Sequence, residues 1–183
     1  MKVLKFGGTS VGSVESIRHI QQIISQQPDD CIVVVSALGG ITDQLLKAAH
    51  LALEAGEKHM EIYQAIRCRH MDMVNTLITN PTTRQMLCLE LESILDELRS
   101  ILFGVHLVKD LSNKTEAAIV SYGERMSSRI VTAALPGAVR KNSLQFIRTE
   151  HKQGQVLLNT ELTEQLIRHA FSPLRYIQPC YPL

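Results

Sequence analysis

The order of apolar and polar positions predicts a strand, a helix and a second strand near the amino terminus. The run Val3–Phe6 favours a strand and stops at two glycines, and apolar residues three or four apart then predict a helix over 14–24. Ser13 is placed to cap that helix. Residues 31–35 are apolar throughout and mostly β-branched, which is typical of an interior strand of a parallel sheet with layers on both faces. We therefore predict a βαβ unit over about residues 2–36.

Longer segments with the apolar spacing of a helix lie in the middle of the chain. They predict helices over about 42–56, 58–78 and 84–105, with a turn at 80–83 between the last two. We interpret residues 58–105 as an antiparallel helical hairpin that is inserted into the α/β framework, where it would serve packing or a dimer contact.

The last third of the chain returns to shorter elements. A helix is predicted over 113–135, with Asn113 at the position of its cap. A strand over 144–149, a helix over 160–171 and a fourth strand from Tyr176 follow. Strands that alternate with helices predict the α/β class with a parallel sheet.

Composition and charge narrow the function classes. With 45% hydrophobic and 20% charged residues, the chain of 183 residues can bury one core, which excludes intrinsic disorder. The 19 basic and 18 acidic residues leave a net charge of +1, so we expect no nucleic-acid partner and no membrane surface. Four separated cysteines and seven histidines show no metal-ligand spacing, which favours a cytoplasmic protein without a metal site.

A lysine and a glycine loop follow the first strand. Residues 5–12 read Lys-Phe-Gly-Gly-Thr-Ser-Val-Gly. Glycines let backbone amides approach an anion, a helix start orients those amides, and Lys5 adds positive charge, so the segment suits a phosphate group. It is neither a Walker loop, because Ser13 stands where lysine is required, nor a Gly-x-Gly-x-x-Gly motif. A tight turn with a solvated Lys5 remains the alternative interpretation.

Two further segments carry side chains that suit a small charged ligand. Residues 36–43, Ser-Ala-Leu-Gly-Gly-Ile-Thr-Asp, follow the second strand, at the edge where parallel sheets bind ligands. Residues 121–128 place a glycine inside a helical pattern, which indicates close approach of a backbone or ligand, and Glu124 beside it is able to meet an ammonium group. The alternatives are that Thr42 only caps a helix and that Glu124 only forms a surface salt bridge with a neighbouring arginine.

Taken in order, these three segments resemble those of the aspartate kinases, in the amino acid kinase superfamily. The resemblance covers residues 2 to about 178, and the helices over 58–105 are similar to those of members fused to homoserine dehydrogenase. It implies an amino-acid-kinase-like parallel-sheet sandwich. The implied reaction transfers the γ-phosphoryl group of MgATP to the β-carboxylate of L-aspartate, the first step toward lysine, threonine and methionine, with no tightly bound cofactor.

The resemblance also implies roles for individual residues. Lys5 matches the catalytic lysine that steadies the transferring phosphoryl group, in keeping with a loose transition state that needs positive charge more than a strong base. The residues implied around the phosphates are Lys5, Gly7, Gly8, Thr9 and Ser10. The positions implied to contact aspartate are Ser36, Thr42 and Glu124, the last of which would receive the α-ammonium group.

The sequence also departs from the family. The Gly-Arg-Gly-Gly-Ser-Asp segment, the nucleotide-binding half and the regulatory modules have no counterpart in it. We therefore expect residues 1–183 to be the amino-terminal, substrate-binding part of a kinase domain, truncated and inactive alone, and to form a homodimer. Two alternatives remain open: a non-catalytic binding or assembly module derived from the kinase fold, and a relative that acts on another acidic substrate, such as acetylglutamate or a nucleoside monophosphate.

Overall fold

Helices make up most of the part that this computed structural model describes, residues 2–152 and 155–171. The chain divides into two compact units, Met1–Val139 and Arg140–Leu183. In the first unit the elements are, in chain order, β1 (Lys2–Phe6), a 3₁₀ turn (Thr9–Val11), α1 (Val14–Ser25), β2 (Cys31–Val35), α2 (Ile41–Leu53), α3 (Lys58–Leu77), α4 (Pro81–Val108) and α5 (Asn113–Ala134).

The predicted βαβ unit is confirmed. Strands β1 and β2 form a parallel two-stranded sheet in which Lys5 lies opposite Val34. Helix α1 connects them, and the Ser13 side chain caps it by accepting a hydrogen bond from the backbone N–H of Ser16 at 3.1 Å. Both glycine-bearing loops therefore leave the sheet at its carboxyl edge.

The two faces of this sheet differ in burial. Because side chains alternate along a strand, Phe6, Val33 and Val35 share one face, which packs against the core. Val3 and Val34 lie on the other face and are 63% and 44% exposed. The structure corrects the expectation of an interior strand that is covered on both faces. Among the described residues β2 pairs with β1 alone, so its other edge is unpaired, and Val34 on its second face is exposed.

Helices α2 to α5 follow the predicted spacings, and the largest difference is at the start of α4. Asn80 caps this helix by accepting a hydrogen bond from Thr83 N at 2.9 Å. Pro81 takes the first helical position, where a backbone N–H would have no partner within the helix, so the absence of that N–H in proline costs nothing. The segment predicted as a turn is therefore the first turn of α4. Likewise Ser112, rather than the predicted Asn113, caps α5, because its hydroxyl accepts a backbone N–H of the first turn.

Helix α2 lies at the centre of the helical part, where it packs against α3, α4 and α5. Three of its fully buried positions are small, which lets the neighbouring helices approach closely: Ala48, Ala49 and Ala52. Helix α4 contributes four fully buried leucines, Leu91, Leu95, Leu98 and Leu102. None of the helices in the described ranges is long and apolar enough to cross a membrane.

The second unit contains a 3₁₀ turn (Ser143–Gln145), an antiparallel hairpin of β3 (Thr149–Lys152) and β4 (Gln155–Leu158), and α6 (Thr160–Ala170). The predicted helix over 160–171 is confirmed, whereas the predicted strand over 144–149 is wrong. Asn142 accepts a hydrogen bond from Leu144 N at 3.2 Å, which turns the backbone where a strand was expected. The predicted strand from Tyr176 lies outside the described residues.

Candidate functional site

The loops that follow β1 and β2 are in backbone contact. A Cβ atom on Gly8 would lie 3.2 Å from the carbonyl oxygen of Ala37, and one on Gly39 would lie 3.1 Å from that of Gly8. Such distances are tighter than most contacts of real Cβ atoms, so a side chain at either position would require the neighbouring backbone to shift by a few tenths of an ångström. Within the first loop, Ser10 N donates a hydrogen bond to Gly7 O at 3.0 Å, which closes the 3₁₀ turn. The two glycine segments thus form one surface at the edge of the sheet.

Lys5 and Thr9 supply exposed polar groups beside this surface, and Ser10 is half-buried. Lys5 is the penultimate residue of β1. Its side chain lies on the open face of the β1–β2 sheet, beside Val34, the residue opposite it in β2. Within residues 2–152 and 155–171, the Lys5 ammonium has no hydrogen bond and no ion pair. It is therefore available to a ligand, although no hydrogen bond joins it to the other candidate residues.

The carboxylate of Glu124 reaches from α5 to the loop after β2. Its Oε1 atom accepts a hydrogen bond from the backbone N–H of Ala37 at 3.2 Å. Three residues further on, the hydroxyl of Ser127 donates a hydrogen bond to Ser36 O at 2.7 Å. These two bonds tie α5 to the segment that carries Ser36, and the second carboxylate oxygen of Glu124 has no partner in the described part of the chain. The site therefore offers an anionic oxygen at this loop.

Gly123 explains how α5 comes so close. A Cβ atom at this position would lie 2.6 Å from the Cβ of Ala37, a distance that real side chains do not show. The atoms that a Cβ at this position would meet are all side-chain atoms, of Ala37, Leu45 and Ile41, so the glycine makes room for side chains rather than for the backbone or ligand that the sequence suggested. Glycine lowers helix stability by about 1 kcal/mol relative to alanine, and the packing of α5 against Ala37 offsets this loss.

The alternative interpretations of Glu124 and Thr42 do not agree with the structure. The arginines that flank Glu124 pair elsewhere, Arg125 with Glu97 at 2.6 Å and Arg129 with Glu90 at 2.7 Å. The hydrogen bond from Arg125 also lowers the pKa of the Glu97 carboxyl.

Thr42 does not cap α2. The helix begins at Ile41, and Gly40 takes the cap position with a φ of 80°, in the left-handed region that favours glycine. Thr42 is half-buried in the first turn, where no hydrogen bond within the described ranges engages its hydroxyl. The Thr42 hydroxyl and the second carboxylate oxygen of Glu124 thus have no partner in the described ranges, so both are available to a ligand.

One site residue was missed in the sequence. Residues 67–70 of α3 read Arg-Cys-Arg-His, and the two arginines point in different directions. Arg67 forms a salt bridge with Glu92 of α4. Arg69 extends to the first glycine loop, where its Nη2 donates a hydrogen bond to Gly12 O at 3.3 Å. Residues two apart are separated by about 200° around a helix, so the sequence alone could have shown that Arg67 and Arg69 lie on different sides of α3.

The residues brought together at the two loops carry groups of both charges. In the described ranges, no cluster of three histidine, cysteine, aspartate or glutamate side chains could hold a metal. The two loops offer backbone amides, hydroxyls and the cations Lys5 and Arg69, while Glu124 offers a carboxylate. Such an arrangement suits a ligand that carries both an anionic group and an ammonium group.

Comparison with known proteins assigns the class. The profile of the amino acid kinase family matches residues 1–178, so the chain belongs to the amino acid kinase family. Among its curated relatives are aspartokinases. Aspartokinase 2, chloroplastic, of Arabidopsis thaliana is 33% identical over 137 residues, which are 73% of this chain and 24% of that protein. The aspartokinase of Chlamydia trachomatis is 33% identical over 129 residues, which are 70% of this chain and 26% of that protein.

Solved structures agree on the fold. Escherichia coli aspartokinase III in complex with aspartate and ADP superposes with a TM-score of 0.79 and 24% identity, over 92% of this chain and 37% of that one. The same enzyme in complex with lysine and aspartate gives a TM-score of 0.80. The chain thus has the fold of the corresponding part of aspartokinase III, and it spans about a quarter of the length of the curated relatives named above.

Proposed function

We propose that the chain is the aspartate-binding part of an aspartate kinase, which transfers the γ-phosphoryl group of MgATP to the β-carboxylate of L-aspartate. The observation that carries the proposal is the placement of Glu124 at the loop after β2, through the 3.2 Å bond to Ala37 N, directly beside the glycine loop that follows β1. An acidic group for the ammonium and an amide-rich loop for the phosphoryl group are both needed by this reaction. The product would be aspartyl phosphate, in the pathway to lysine, threonine and methionine.

Within this proposal each side chain has a role that its position supports. Lys5 would stabilise the charge on the transferring phosphoryl group, since its ammonium is exposed and unpaired among the described residues. The loop residues Gly7, Gly8, Thr9 and Ser10 would surround the phosphates. Ser36 and Thr42 would position aspartate, and the free oxygen of Glu124 would accept its α-ammonium group.

Several further features belong to the same proposal. We infer that α3 and α4 are the antiparallel hairpin inserted into the kinase framework, and that the protein acts in the cytoplasm as a homodimer without a resident cofactor. Because the chain covers about a quarter of its curated relatives, we infer that the nucleotide site requires residues outside residues 1–183. The isolated chain would then bind aspartate without turning it over.

The experiment traps aspartyl phosphate as its hydroxamate in the presence of MgATP and L-aspartate. It compares the chain alone with a fusion that adds the remaining part of the Chlamydia trachomatis aspartokinase. We expect product from the fusion and none from the chain alone. A folded fusion that binds ATP but forms no hydroxamate would contradict the proposed activity, and turnover by the chain alone would contradict the need for further residues.

A second candidate, a non-catalytic assembly module, is favoured by the open sheet face. Val3 and Val34 expose apolar surface there that a partner would cover. The module would bind a subunit through this face and would bind no substrate. Light scattering of the wild-type chain and of a Val3→Lys variant, together with aspartate calorimetry, separates the two: assembly that Val3→Lys abolishes, without aspartate binding, would favour the module.

A further inference from the structure

The solvent side of α4 carries an apolar stripe that lies opposite the buried leucines of the same helix. Four of its large side chains are between 56% and 67% exposed: Met86, Leu89, Phe103 and Leu107. The positions that continue the stripe between them are exposed and polar: Ser93, Asp96 and Ser100. From 86 to 107 the spacing alternates between three and four residues without a break, for three heptads. This outer stripe therefore has the spacing of a seam between two packed helices.

The charges that border the outer stripe are balanced within the chain. Each of three bordering glutamates pairs with an arginine of α3 or α5: Glu90 with Arg129, Glu92 with Arg67, and Glu97 with Arg125. Within the stripe, Asp96 pairs with Arg99 of the next turn at 3.1 Å. A second copy of the same surface would therefore meet no uncompensated like charge, as complementary partner surfaces require.

The order of residues along the outer stripe suits a second copy that runs in the opposite direction. The apolar residues lie at its two ends and the polar residues in its middle. In an antiparallel pair, the Met86 end of one copy would lie against the Phe103 end of the other, twice across a two-fold axis. The same arrangement sets Glu92 near Arg99 of the second copy. A parallel pair would instead set Glu92 near Glu97 of the second copy, two acidic groups, so charge favours the antiparallel direction.

We propose that the outer stripe of α4 is a dimer surface, on which a second copy of this chain packs antiparallel about a two-fold axis near Ser93 and Asp96. The proposal rests on the homodimer that belongs to the proposed function, whose surface it names, and not on the reaction. The polar middle would set the register of the two helices, since a polar residue at a seam position specifies alignment at a cost in stability. The small side chains of Ser93 and Ser100 would allow close approach there.

The first test measures the mass of the chain by sedimentation velocity at several concentrations, without MgATP or aspartate. We expect the wild type to dimerise. Phe103→Glu should weaken the dimer by roughly 30-fold or more, because the introduced charge enters the seam twice. It should keep the helical circular dichroism of the wild type, since Phe103 is exposed in the single chain. Val3→Lys, at an exposed valine of the open sheet face, is the control and should dimerise like the wild type.

The second test determines the direction of the helices by disulfide cross-linking. Met86→Cys chains mixed with Phe103→Cys chains should form a covalent dimer under mild oxidation, because antiparallel packing brings positions 86 and 103 within disulfide reach. Neither variant should cross-link with itself. The wild type, which carries the exposed Cys68, is the oxidation control. Cross-linking of Met86→Cys with itself would overturn the antiparallel arrangement.

The outcomes separate this surface from the alternatives. A monomeric wild type, or a dimer that Phe103→Glu leaves intact, would overturn the proposal. Loss of the dimer in Val3→Lys alone would assign the interface to the open sheet face and would overturn it as well. A wild-type dimer that Phe103→Glu dissociates, beside a fusion that binds ATP but forms no hydroxamate, would uphold this surface and contradict only the proposed reaction.

Discussion

Two regions of this molecule use charge in opposite ways. In the first, the glycine-loop region (residues 5–12 and 36–42 with Glu124 and Arg69), the backbones touch and the cations lack ion pairs within the described ranges. In the second, the helix-packing region (α3, α4 and the side of α5 that faces α4), buried leucines form the contacts and each interhelical arginine has a glutamate partner.

From this difference we infer that charged side chains serve ligand binding in the first region and stability in the second. An ion pair at a solvated surface adds little to the free energy of unfolding, and its charges are already neutralised by each other. A charged group without an ion-pair partner, held in place by close packing, attracts a ligand of opposite charge more strongly. The glycines bring the two loop backbones together without side chains that would fill the space beside them. We therefore expect substitutions in the first region to change binding and catalysis, and substitutions in the second to change stability.

The largest effect is expected from Lys5→Ala in the glycine-loop region. Removal of one preorganised charge from a phosphoryl-transfer site should cost the active fusion about 3–4 kcal/mol of transition-state stabilisation, or roughly 10²- to 10³-fold in rate. Because Lys5 is exposed, the free energy of unfolding should not change. Hydroxamate kinetics and urea denaturation measure the two quantities.

Lys2→Ala is the matched control for this prediction, since Lys2 is an exposed lysine at the start of the same strand, with a 3.3 Å bond to Gln27. It should retain the wild-type rate. Equal losses of rate in the two variants would mean that the strand's charge, rather than the position of Lys5, matters.

The next effect concerns acid stability and belongs to the helix-packing region. His70 on α3 is fully buried, with Nδ1 at 2.7 Å from Ile66 O. Burial, opposed by that hydrogen bond, lowers the pKa of His70 from 6.5 to about 4. The unfolded chain therefore binds the proton more tightly, so stability should fall as the pH drops from 6.5 to 4, by up to about 3 kcal/mol.

Urea denaturation across this pH range should show a smaller slope for His70→Leu than for the wild type. A residual slope is expected from His59, whose pKa is also lowered by burial and by the nearby His106 and Lys109. The exposed His19 provides the control, because His19→Gln should keep the wild-type slope. An unchanged slope in His70→Leu would show that His70 does not titrate in this window.

A smaller effect is expected where the two regions meet, at Gly123. Alanine there favours the helix by about 1 kcal/mol but forces a contact with the Cβ of Ala37, and overpacking of this kind costs about 1–3 kcal/mol, so a net loss of up to about 2 kcal/mol is expected. The shift should also lengthen the bond between Glu124 and the loop and weaken aspartate binding. Denaturant unfolding and calorimetry measure both.

Two further variants test the cause of this effect. Adding Ala37→Gly to Gly123→Ala removes the clashing Cβ and should restore aspartate binding. Gly104→Ala, at a glycine of α4 with no atom within 4 Å of the new Cβ, should stabilise the chain by up to about 1 kcal/mol. Stabilisation by Gly123→Ala would refute the close contact with Ala37.

The smallest effect is expected from a paired charge of the helix-packing region. Glu90 is half-exposed and bonds Arg129 at 2.7 Å. Glu90→Ala should lower the free energy of unfolding by less than about 1 kcal/mol, because solvent screens such pairs, and should leave aspartate affinity unchanged. A loss of affinity measured by calorimetry would mean that the paired charges also serve the site.

Local pattern was sufficient for most elements of the fold. The βαβ unit, the helices α2 to α6 and the cap of α1 follow from spacing, glycine positions and Ser13, each of which acts within a few residues. The strand predicted over 144–149 failed because Asn142 turns the backbone through its own side chain, a choice that apolar spacing does not report.

Only part of the candidate site could be predicted from local sequence pattern. The segments with Lys5 and with Glu124 were found because glycine interrupts a regular pattern there. Arg69 was missed because Arg67 and Arg69 look alike in sequence, and which of them meets a glutamate depends on where α4 lies.

The βαβ unit, most of the helices, the two glycine loops and the family that the three segments resemble could be predicted from the amino-acid sequence, because these depend on neighbours along the chain. Tertiary structure alone decided that α5 approaches Ala37 closely enough to exclude a Cβ, that Arg69 points at the glycine loop, and that one face of the β1–β2 sheet stays open. Those outcomes depend on packing and charge pairing between residues far apart in sequence, and such long-range contacts leave no periodic trace.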